Sequence, residues 1–161
     1  MEFLWSPWRY DYLASGGKKP DSCVFCVGED RAPERDAERL IVFRGTHNFV
    51  ILNLFPYTSG HLMIAPYEHR DTIAGAKPEQ MLEMMELSKR AVVALQEIYK
   101  PDGFNLGMNL GAAAGAGIRE HFHLHVVPRW IGDANFISIT GETRVLPEEL
   151  AVTYRRISEA L

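Results

Sequence analysis

Three histidines at alternate positions of one short segment, His121, His123 and His125, are the residues of this chain best placed to do chemistry. Alternate side chains of a β-strand point to the same face, so the three imidazoles would lie in a row. The apolar residues between them, Phe122 and Leu124, would point to the opposite face and could pack on a core. Half of the six histidines lie in these five positions, which predicts a chemical site.

Two chemistries use histidines in this arrangement. A His-x-His pair on a strand can ligate zinc, and three histidines with an open coordination position make a hydrolytic zinc site. Alternatively, one imidazole attacks phosphorus while its neighbours orient it and protonate the leaving group. Imidazole suits that task because its ordinary pKa of about 6.5 keeps it nucleophilic at neutral pH. A third interpretation is a row of structural histidines on a solvated face.

A run of small residues precedes the histidine row. Residues 111–117 read Gly-Ala-Ala-Ala-Gly-Ala-Gly, so their backbone N–H groups could closely approach an anion. The run matches neither the P-loop pattern nor G-x-G-x-x-G, and alone it indicates only a loop. Beside a row of histidines it favours an oxyanion site next to a nucleophile, and therefore phosphoryl or nucleotidyl transfer.

The two cysteines, Cys23 and Cys26, form a C-x-x-C pair. The flanking residues, 18–22 and 27–29, are typical of a turn and not of the strand and helix that surround a thioredoxin-like redox pair. A structural disulfide is disfavoured in a reducing compartment, which leaves metal ligation or a redox role. Two thiolates need two more ligands to complete a structural zinc site, and histidine is the natural source.

The composition is that of an ordinary globular protein, with 161 residues of which 47% are hydrophobic and 24% charged. This length predicts a single domain over residues 1–161. The formal net charge of −4 argues against a nucleic-acid partner. No apolar run approaches the roughly 18 residues needed to span a bilayer, and residues 1–5 lack the features of a signal peptide. We therefore expect a cytoplasmic protein without a membrane partner.

Hydrophobic periodicity predicts the elements that must position these residues. Met81, Met84 and Met85 begin a set of apolar residues at helical spacing, and Pro78 and Pro101 mark the two ends of the helix. The predicted elements in chain order are a β-hairpin over 40–43 and 48–52, a strand over 61–65, a helix over 78–99, a strand over 104–109, the histidine strand and a short helix that starts near residue 147. This order predicts an α+β fold on an antiparallel five-stranded sheet.

The histidine row resembles the signature of the histidine triad (HIT) family, His-φ-His-φ-His-φ-φ with φ apolar, which residues 121–127 fit at every position. Residues 53–66 resemble the family's nucleoside-side strand and loop, and residues 109–111 resemble the Asn-x-Gly that precedes the triad. The resemblance runs from about Trp5 to Leu150. It implies a HIT-like fold, with one long helix and a short C-terminal helix on the sheet.

Segments 5–9, 114–118 and 126–136 resemble the bacterial diadenosine tetraphosphate phosphorylase and hydrolase branch of that family. The resemblance implies cleavage of diadenosine tetraphosphate or a related nucleotide through a nucleotidyl intermediate on His123. His125 would hold a phosphate oxygen or assist the leaving group. The remaining nucleotide and phosphate contacts would come from Asn53 at the ribose and from Asn109, Gly115, Ala116 and Gly117 at the phosphates.

In zinc-containing members of the family, a C-x-x-C pair, a histidine after the third strand and the first triad histidine bind a structural zinc ion. The corresponding residues here are Cys23, Cys26, His69 and His121, which leave no open coordination position. Such an ion would fix the strand that carries the nucleophile and would not act in the reaction. No organic cofactor is expected. The alternative is two buried thiols with His69 on the surface.

One feature departs from the family pattern. Many members carry Gln followed by Ser or Thr shortly before the triad, whereas residues 116–120 contain no hydroxyl. Phosphate contacts would then come from backbone N–H groups, with Arg119 as a possible addition. His47 and His61 are interpreted as structural. The three tryptophans, Trp5, Trp8 and Trp130, are interpreted as packing residues.

The acceptor in the second step is left open by the sequence. Inorganic phosphate would release ADP, together with the ATP from the first step, whereas water would release AMP. Two other functions remain, an adenosine phosphoramidase and a nucleotide-binding module without turnover. The family also implies a homodimer in which the sheet extends across two subunits, and exposed sheet edges would allow it.

Overall fold

The computed structural model describes residues 23–26, 32–133 and 148–161. The N-terminal aromatic residues Trp5 and Trp8, and the predicted family segment after residue 133, lie outside the described residues. The single domain over residues 1–161 stays a prediction. Among the described residues, no helix is both long enough and apolar enough to cross a membrane.

An antiparallel sheet of five strands forms the centre of the fold, with the strand order β1-β2-β3-β5-β4. The elements in chain order are α1 (Asp36–Arg39), β1 (Ile41–Arg44), β2 (Asn48–Leu52), β3 (Leu62–Pro66), α2 (Pro78–Tyr99), β4 (Gly103–Gly107), β5 (Leu124–Arg129) and α3 (Leu150–Ser158). The α+β class, the five antiparallel strands, the long helix and the short C-terminal helix are confirmed.

Both faces of the sheet are packed, which explains why every residue of β2 and β3 is buried. On one face, residues such as Leu52 and Ile64 pack against α2 and α3. On the other face, Phe49, Ile51 and Met63 form a second apolar cluster. Continuous apolar runs are expected in strands that are covered on both sides.

The long helix α2 follows from its apolar spacing and from its ends. Met84, Leu87, Ala91 and Leu95 recur at three- and four-residue intervals and are buried against the sheet. The helix begins at Pro78 and ends at Tyr99, and the residue that follows it, Lys100, has a left-handed backbone with φ of 48°. Met85, one of the apolar residues that predicted the helix, is 55% exposed because one residue of helix turns it about 100° away from Met84.

The strand that carries the histidine row is shorter than predicted, because β5 begins at Leu124. Opposite the preceding residues, β3 ends at Pro66, which has no N–H group to donate to a ladder. Instead, the Phe122 N–H donates to the backbone oxygen of Arg70. The predicted alternation of faces nevertheless holds, since Phe122 packs on the helix side and His121 contacts Phe25 on the other side.

Candidate active site and metal cluster

His123 is held in one tautomer by a backbone oxygen. Its Nδ1 lies 2.9 Å from the oxygen of His121, which can only accept, so Nδ1 carries the proton. The side chain is 5% exposed, and burial lowers its pKa below the ordinary value despite the hydrogen bond that Nδ1–H donates to that backbone oxygen. The ring is therefore neutral at pH 7, and its Nε2 carries a lone pair.

His125 is held in the opposite tautomer by a chain of hydrogen bonds through His61. The N–H of Tyr57 donates to Nδ1 of His61 at 3.1 Å, so the proton of neutral His61 is on Nε2. That N–H donates to Nδ1 of His125 at 2.9 Å. The proton of His125 is therefore on Nε2. Burial, with a smaller contribution from the charge of His123, lowers the pKa of His125 to about 4.

His123 and His125 thus present different groups at the same ring atom, a lone pair on one Nε2 and an N–H on the other. The ring centroids of His123 and His125 are 4.8 Å apart, and the planes are 73° from parallel. His123 has an Nε2 lone pair that could attack an electrophile, while the Nε2–H of His125 could donate a proton or a hydrogen bond. A nucleophile beside a proton donor is the combination that group transfer through a covalent intermediate requires.

Two contacts of the row were not expected from the sequence. His61, interpreted there as structural, is 1% exposed and bonds directly to His125. Phe25 has its ring centroid 4.6 Å from that of His123. The sequence signal for His61 was its place at the start of the predicted third strand, and the signal for Phe25 was its place inside the C-x-x-C pair.

The predicted metal-ligand residues lie together in the fold. The ligand atoms of Cys23, Cys26, His69 and His121 are all within 4.8 Å of one another. The Sγ of Cys26 is 3.2 Å from Nδ1 of His69 and 3.9 Å from Nδ1 of His121. Ligands bound at about 2.0–2.3 Å in a tetrahedron are about 3.3–3.8 Å apart, so the sulfur–nitrogen separations in this cluster are close to those of a Cys₂His₂ metal site.

The tautomer of His121 also fits metal binding. Its Nε2–H donates to the backbone oxygen of Pro66 at 2.8 Å, so Nδ1 carries a lone pair directed towards the cysteines. Burial lowers the pKa of His121 to about 4, which keeps this lone pair available. Nδ1 is 3.5 Å from the Sγ of Cys23. A fully buried imidazole with its lone pair on two thiols is the arrangement expected of a metal ligand.

The glycine-rich run folds as a tight loop in front of open space. Gly111 and Gly115 have φ values of 81° and 82°, which favour glycine, and they flank a short turn of 3-10 helix. A Cβ added at Gly111, Gly115 or Gly117 would meet no atom within 4 Å. Ala116 is buried, and its N–H donates to the Gly111 oxygen at 3.4 Å. The described contacts do not join this loop to the histidine row.

The two asparagines have different surroundings. Asn53 continues the pairing of β2 with β3, and its Nδ2 lies 3.3 Å from Nδ1 of His61. Its Oδ1 accepts from the N–H of Phe55 at 2.9 Å. Asn109 is half-buried just before the glycine loop, and no recorded hydrogen bond among the described residues joins it to the row. The predicted ribose and phosphate contacts of Asn53 and Asn109 stay predictions.

Comparison with known proteins places the chain in a family. Residues 34–130, more than half of the chain, match the family model of the HIT domain. This chain belongs to the HIT family. The family resemblance predicted from the histidine row is thereby confirmed.

Most of the chain resembles known proteins. The chain is 39% identical over 162 residues to a Mycobacterium tuberculosis protein named AP-4-A phosphorylase, and the match covers 98% of this chain and 83% of that protein. A zinc-bound histidine triad family protein from Mycobacterium smegmatis has a TM-score of 0.69 and 30% identity, covering 86% of this chain and 92% of the other. A hypothetical histidine triad nucleotide-binding protein from Sulfolobus tokodaii has a TM-score of 0.67 and 26% identity, covering 86% and 91%.

Proposed function

We propose that this HIT protein is an enzyme that transfers a nucleotidyl group from a dinucleoside polyphosphate, with diadenosine tetraphosphate as the principal substrate. The observation that carries the proposal is the pair of hydrogen bonds that give His123 and His125 opposite tautomers. The similarity to a protein named AP-4-A phosphorylase supports the choice of substrate. The reaction proceeds in two steps, each of which breaks one bond to phosphorus and forms another.

In the first step, Nε2 of His123 attacks the α-phosphorus of the dinucleotide. A P–N bond forms and the bond from that phosphorus to the bridging oxygen breaks, which leaves AMP bound to His123 and expels ATP. The Nε2–H of His125 donates to the departing oxygen or to a non-bridging oxygen of the same phosphate. The Nδ1–H of His123 continues to donate to the oxygen of His121, which stabilises the positive charge on the nucleotidyl imidazole.

In the second step, inorganic phosphate attacks the same phosphorus, the P–N bond breaks and ADP leaves. The name of the M. tuberculosis relative supports phosphate as the acceptor. Water as the acceptor would give AMP instead. The backbone of Gly115, Ala116 and Gly117 would hold the phosphates, with Asn109, and Asn53 would contact the ribose.

We also propose that the Cys₂His₂ cluster binds zinc in a structural role. The separations of its donor atoms and the tautomer of His121 fit such an ion, and the M. smegmatis relative is zinc-bound. The cluster supplies four protein ligands, whereas a catalytic zinc site keeps a position open for water or substrate. Neither His123 nor His125 belongs to the cluster. The residues here would bind the ion through two thiolates and two imidazoles, and the ion would supply rigidity to the segment before the nucleophile.

Incubation with diadenosine tetraphosphate tests this proposal. With inorganic phosphate present we expect ADP and ATP in equal amounts, and without it we expect no net turnover. AMP and ATP without phosphate would assign a hydrolase and overturn phosphorolysis. The His123→Ala variant should bind a non-hydrolysable analogue as the wild type does and should release no product. Undiminished turnover by that variant would overturn the assignment of the nucleophile.

The proposed enzyme is a homodimer whose sheet continues across two subunits. The outer side of β4 (Gly103–Gly107) is an edge of the sheet, and Leu106 on that strand is 44% exposed. An exposed edge is a ready site for pairing with another strand. Light scattering should give twice the mass of one chain, and the mass of a single chain would contradict the dimer. The cytoplasmic location stays a prediction.

A further inference from the structure

Phe25 lies between the two cysteines of the metal cluster and against the ring of His123. The two ring centroids are 4.6 Å apart with an interplanar angle of 40°. The centroid of Phe25 is also 5.4 Å from that of His121. One aromatic ring therefore contacts both the proposed nucleophile and a proposed metal ligand, and neither contact belongs to the first-step chemistry described above.

We propose that Phe25 is a positioning residue that holds the imidazole of His123 in the orientation from which Nε2 attacks phosphorus, and that metal binding by Cys23 and Cys26 holds Phe25 in place. This inference rests on the nucleophilic role proposed for His123. Phe25 acts through His123 and does not contact the substrate. Its side chain is 0% exposed, so it is not available to stack on a nucleobase.

The need for such a residue follows from the hydrogen bonds of His123. Among the described residues, its ring makes one hydrogen bond, from Nδ1 to the oxygen of His121. A ring held at one atom can still swing about that bond and move Nε2 away from the line of attack. A planar ring packed against it opposes that motion, because aromatic pairs favour particular separations and angles. Small errors in the position of a nucleophile cost large factors in rate.

The position of Phe25 in the chain connects it to the metal cluster. The Cys26 N–H donates to the oxygen of Cys23 at 3.1 Å, so Phe25 projects from a tight turn whose two ends are the thiols. His121 provides both a ligand atom of the cluster and the backbone oxygen that holds His123. Binding of a metal would therefore fix both neighbours of the nucleophile, the Phe25 ring and the His121 oxygen.

Phe49 provides a matched control for Phe25. Both rings are fully buried in the same apolar cluster on this face of the sheet. The recorded ring partner of Phe49 is Tyr67, with a centroid separation of 5.3 Å, and not a histidine of the row. Loss of the Phe49 ring therefore reports the general cost of removing an aromatic side chain from this cluster.

Steady-state kinetics of Phe25→Leu and Phe49→Leu form the first test. We expect Phe25→Leu to lower kcat at least about tenfold while KM and zinc content stay within about twofold of the wild type. Phe49→Leu should lower the melting temperature by about as much as Phe25→Leu does, but its kcat should stay within about twofold of the wild type. Equal losses of kcat in both variants, or an unchanged kcat in Phe25→Leu, would overturn the proposal. Phe25→Met replaces Phe25→Leu if the latter does not fold.

The second test follows His123 directly and does not need turnover. In protein labelled with ¹⁵N-histidine, the two ring nitrogens of His123 should report a single Nδ1–H tautomer in the wild type and in Phe49→Leu. In Phe25→Leu, and in the wild type after zinc chelation, we expect averaged or broadened signals. Unchanged His123 signals in Phe25→Leu overturn the positioning role, and unchanged signals after chelation overturn its dependence on the metal. A wild type that cleaves no nucleotide refutes the proposed function, and these spectra still decide the role of Phe25.

Discussion

His61 and His125, 64 residues apart in the chain, are joined by a hydrogen bond of 2.9 Å between Nε2 of His61 and Nδ1 of His125. The bond crosses from the residue just before β3 to β5, where Leu62 pairs with Val126 and the two histidines lie diagonally on the same face. The backbone of Tyr57 fixes its direction, since it donates to the other nitrogen of His61. His61, which lies outside the row of three histidines, thus determines which ring nitrogen of His125 carries the proton.

Replacement of His61 by alanine should therefore lower kcat while the nucleotide and the metal still bind. Without the donor at Nδ1, His125 can place its proton on either nitrogen, and a smaller fraction of molecules offers Nε2–H to the substrate. We expect a fall in kcat of at least roughly tenfold, since a positioned proton donor contributes about a hundredfold or more. Steady-state kinetics and ¹⁵N signals of His125 measure the two effects.

His47→Ala is the control for that substitution. His47 lies in the turn between β1 and β2, where its recorded hydrogen bonds come from its backbone, to Glu83 and from Tyr67. This variant should keep the wild-type kcat. A His61→Ala enzyme with an unchanged kcat and an unchanged His125 spectrum would show that the hydrogen bond does not control the tautomer.

Removal of individual histidines should separate metal binding from catalysis. His121→Ala removes a donor atom from the cluster, so we expect loss of zinc and a melting temperature lower by several degrees. Each kcal/mol lost from the free energy of unfolding lowers the melting temperature of a chain of this size by about 2–4 °C. His123→Ala leaves the four donor atoms intact, so zinc content should equal that of the wild type while turnover is lost. Metal analysis by mass spectrometry measures both. Loss of zinc from His123→Ala would place that residue in the ligand set.

Local patterns in the sequence were sufficient for the order of elements and for the candidate residues. The helical spacing of residues 78–99 predicted a helix with those same bounds. The type and spacing of Cys23 and Cys26 demanded two more ligands, and the fold brings His69 and His121 to them. The predicted elements are confirmed because they depend on residues close in the chain, whereas zinc binding by the four residues rests on a family motif and stays a prediction.

The contacts that orient the site could not be predicted in this way. The bond of His61 to His125 depends on the register between β3 and β5, which no local pattern specifies. The packing of Phe25 on His123 depends on how the N-terminal turn lies across the sheet. The late start of β5 follows from Pro66 on the neighbouring strand, because its missing N–H ends the ladder. Each of these features is a relation between segments that are distant in sequence.

Glu83 should prove a major stabilising residue of the β1–β2 turn. Its carboxylate accepts hydrogen bonds from the backbone N–H groups of Thr46, His47 and Asn48 at 2.6–2.8 Å, and from the Asn48 side chain at 2.8 Å. We expect Glu83→Ala to lower the free energy of unfolding by about 2–3 kcal/mol, because several donors lose a charged acceptor together. Urea denaturation measures this value.

Glu86 on the same helix is the control for Glu83. Its side chain is 61% exposed and lies 3.5 Å from Lys89 in a surface ion pair. Glu86→Ala should therefore change the free energy of unfolding by no more than about 0.5 kcal/mol. A loss as large as that of Glu83→Ala would mean that the effect comes from the helix and not from the turn.

The contribution of Glu83 should also depend on pH in a defined direction. Burial alone would raise its pKa, but the hydrogen bonds from Asn48, His47 and Thr46 outweigh burial and hold it below the ordinary value of 4.5. A carboxyl whose pKa is lowered by folding stabilises the protein above its unfolded-state pKa, and the stabilisation is lost as the pH falls through the folded-state value.

The difference in unfolding free energy between wild type and Glu83→Ala should therefore be constant from about pH 7 to about pH 5 and should shrink below about pH 4.5. The buried histidines His121 and His125, with pKa values lowered to about 4, lose their own contribution between pH 6.5 and 4, but equally in both proteins. A difference that stays constant down to about pH 3 would show that the Glu83 hydrogen bonds do not favour its charged form.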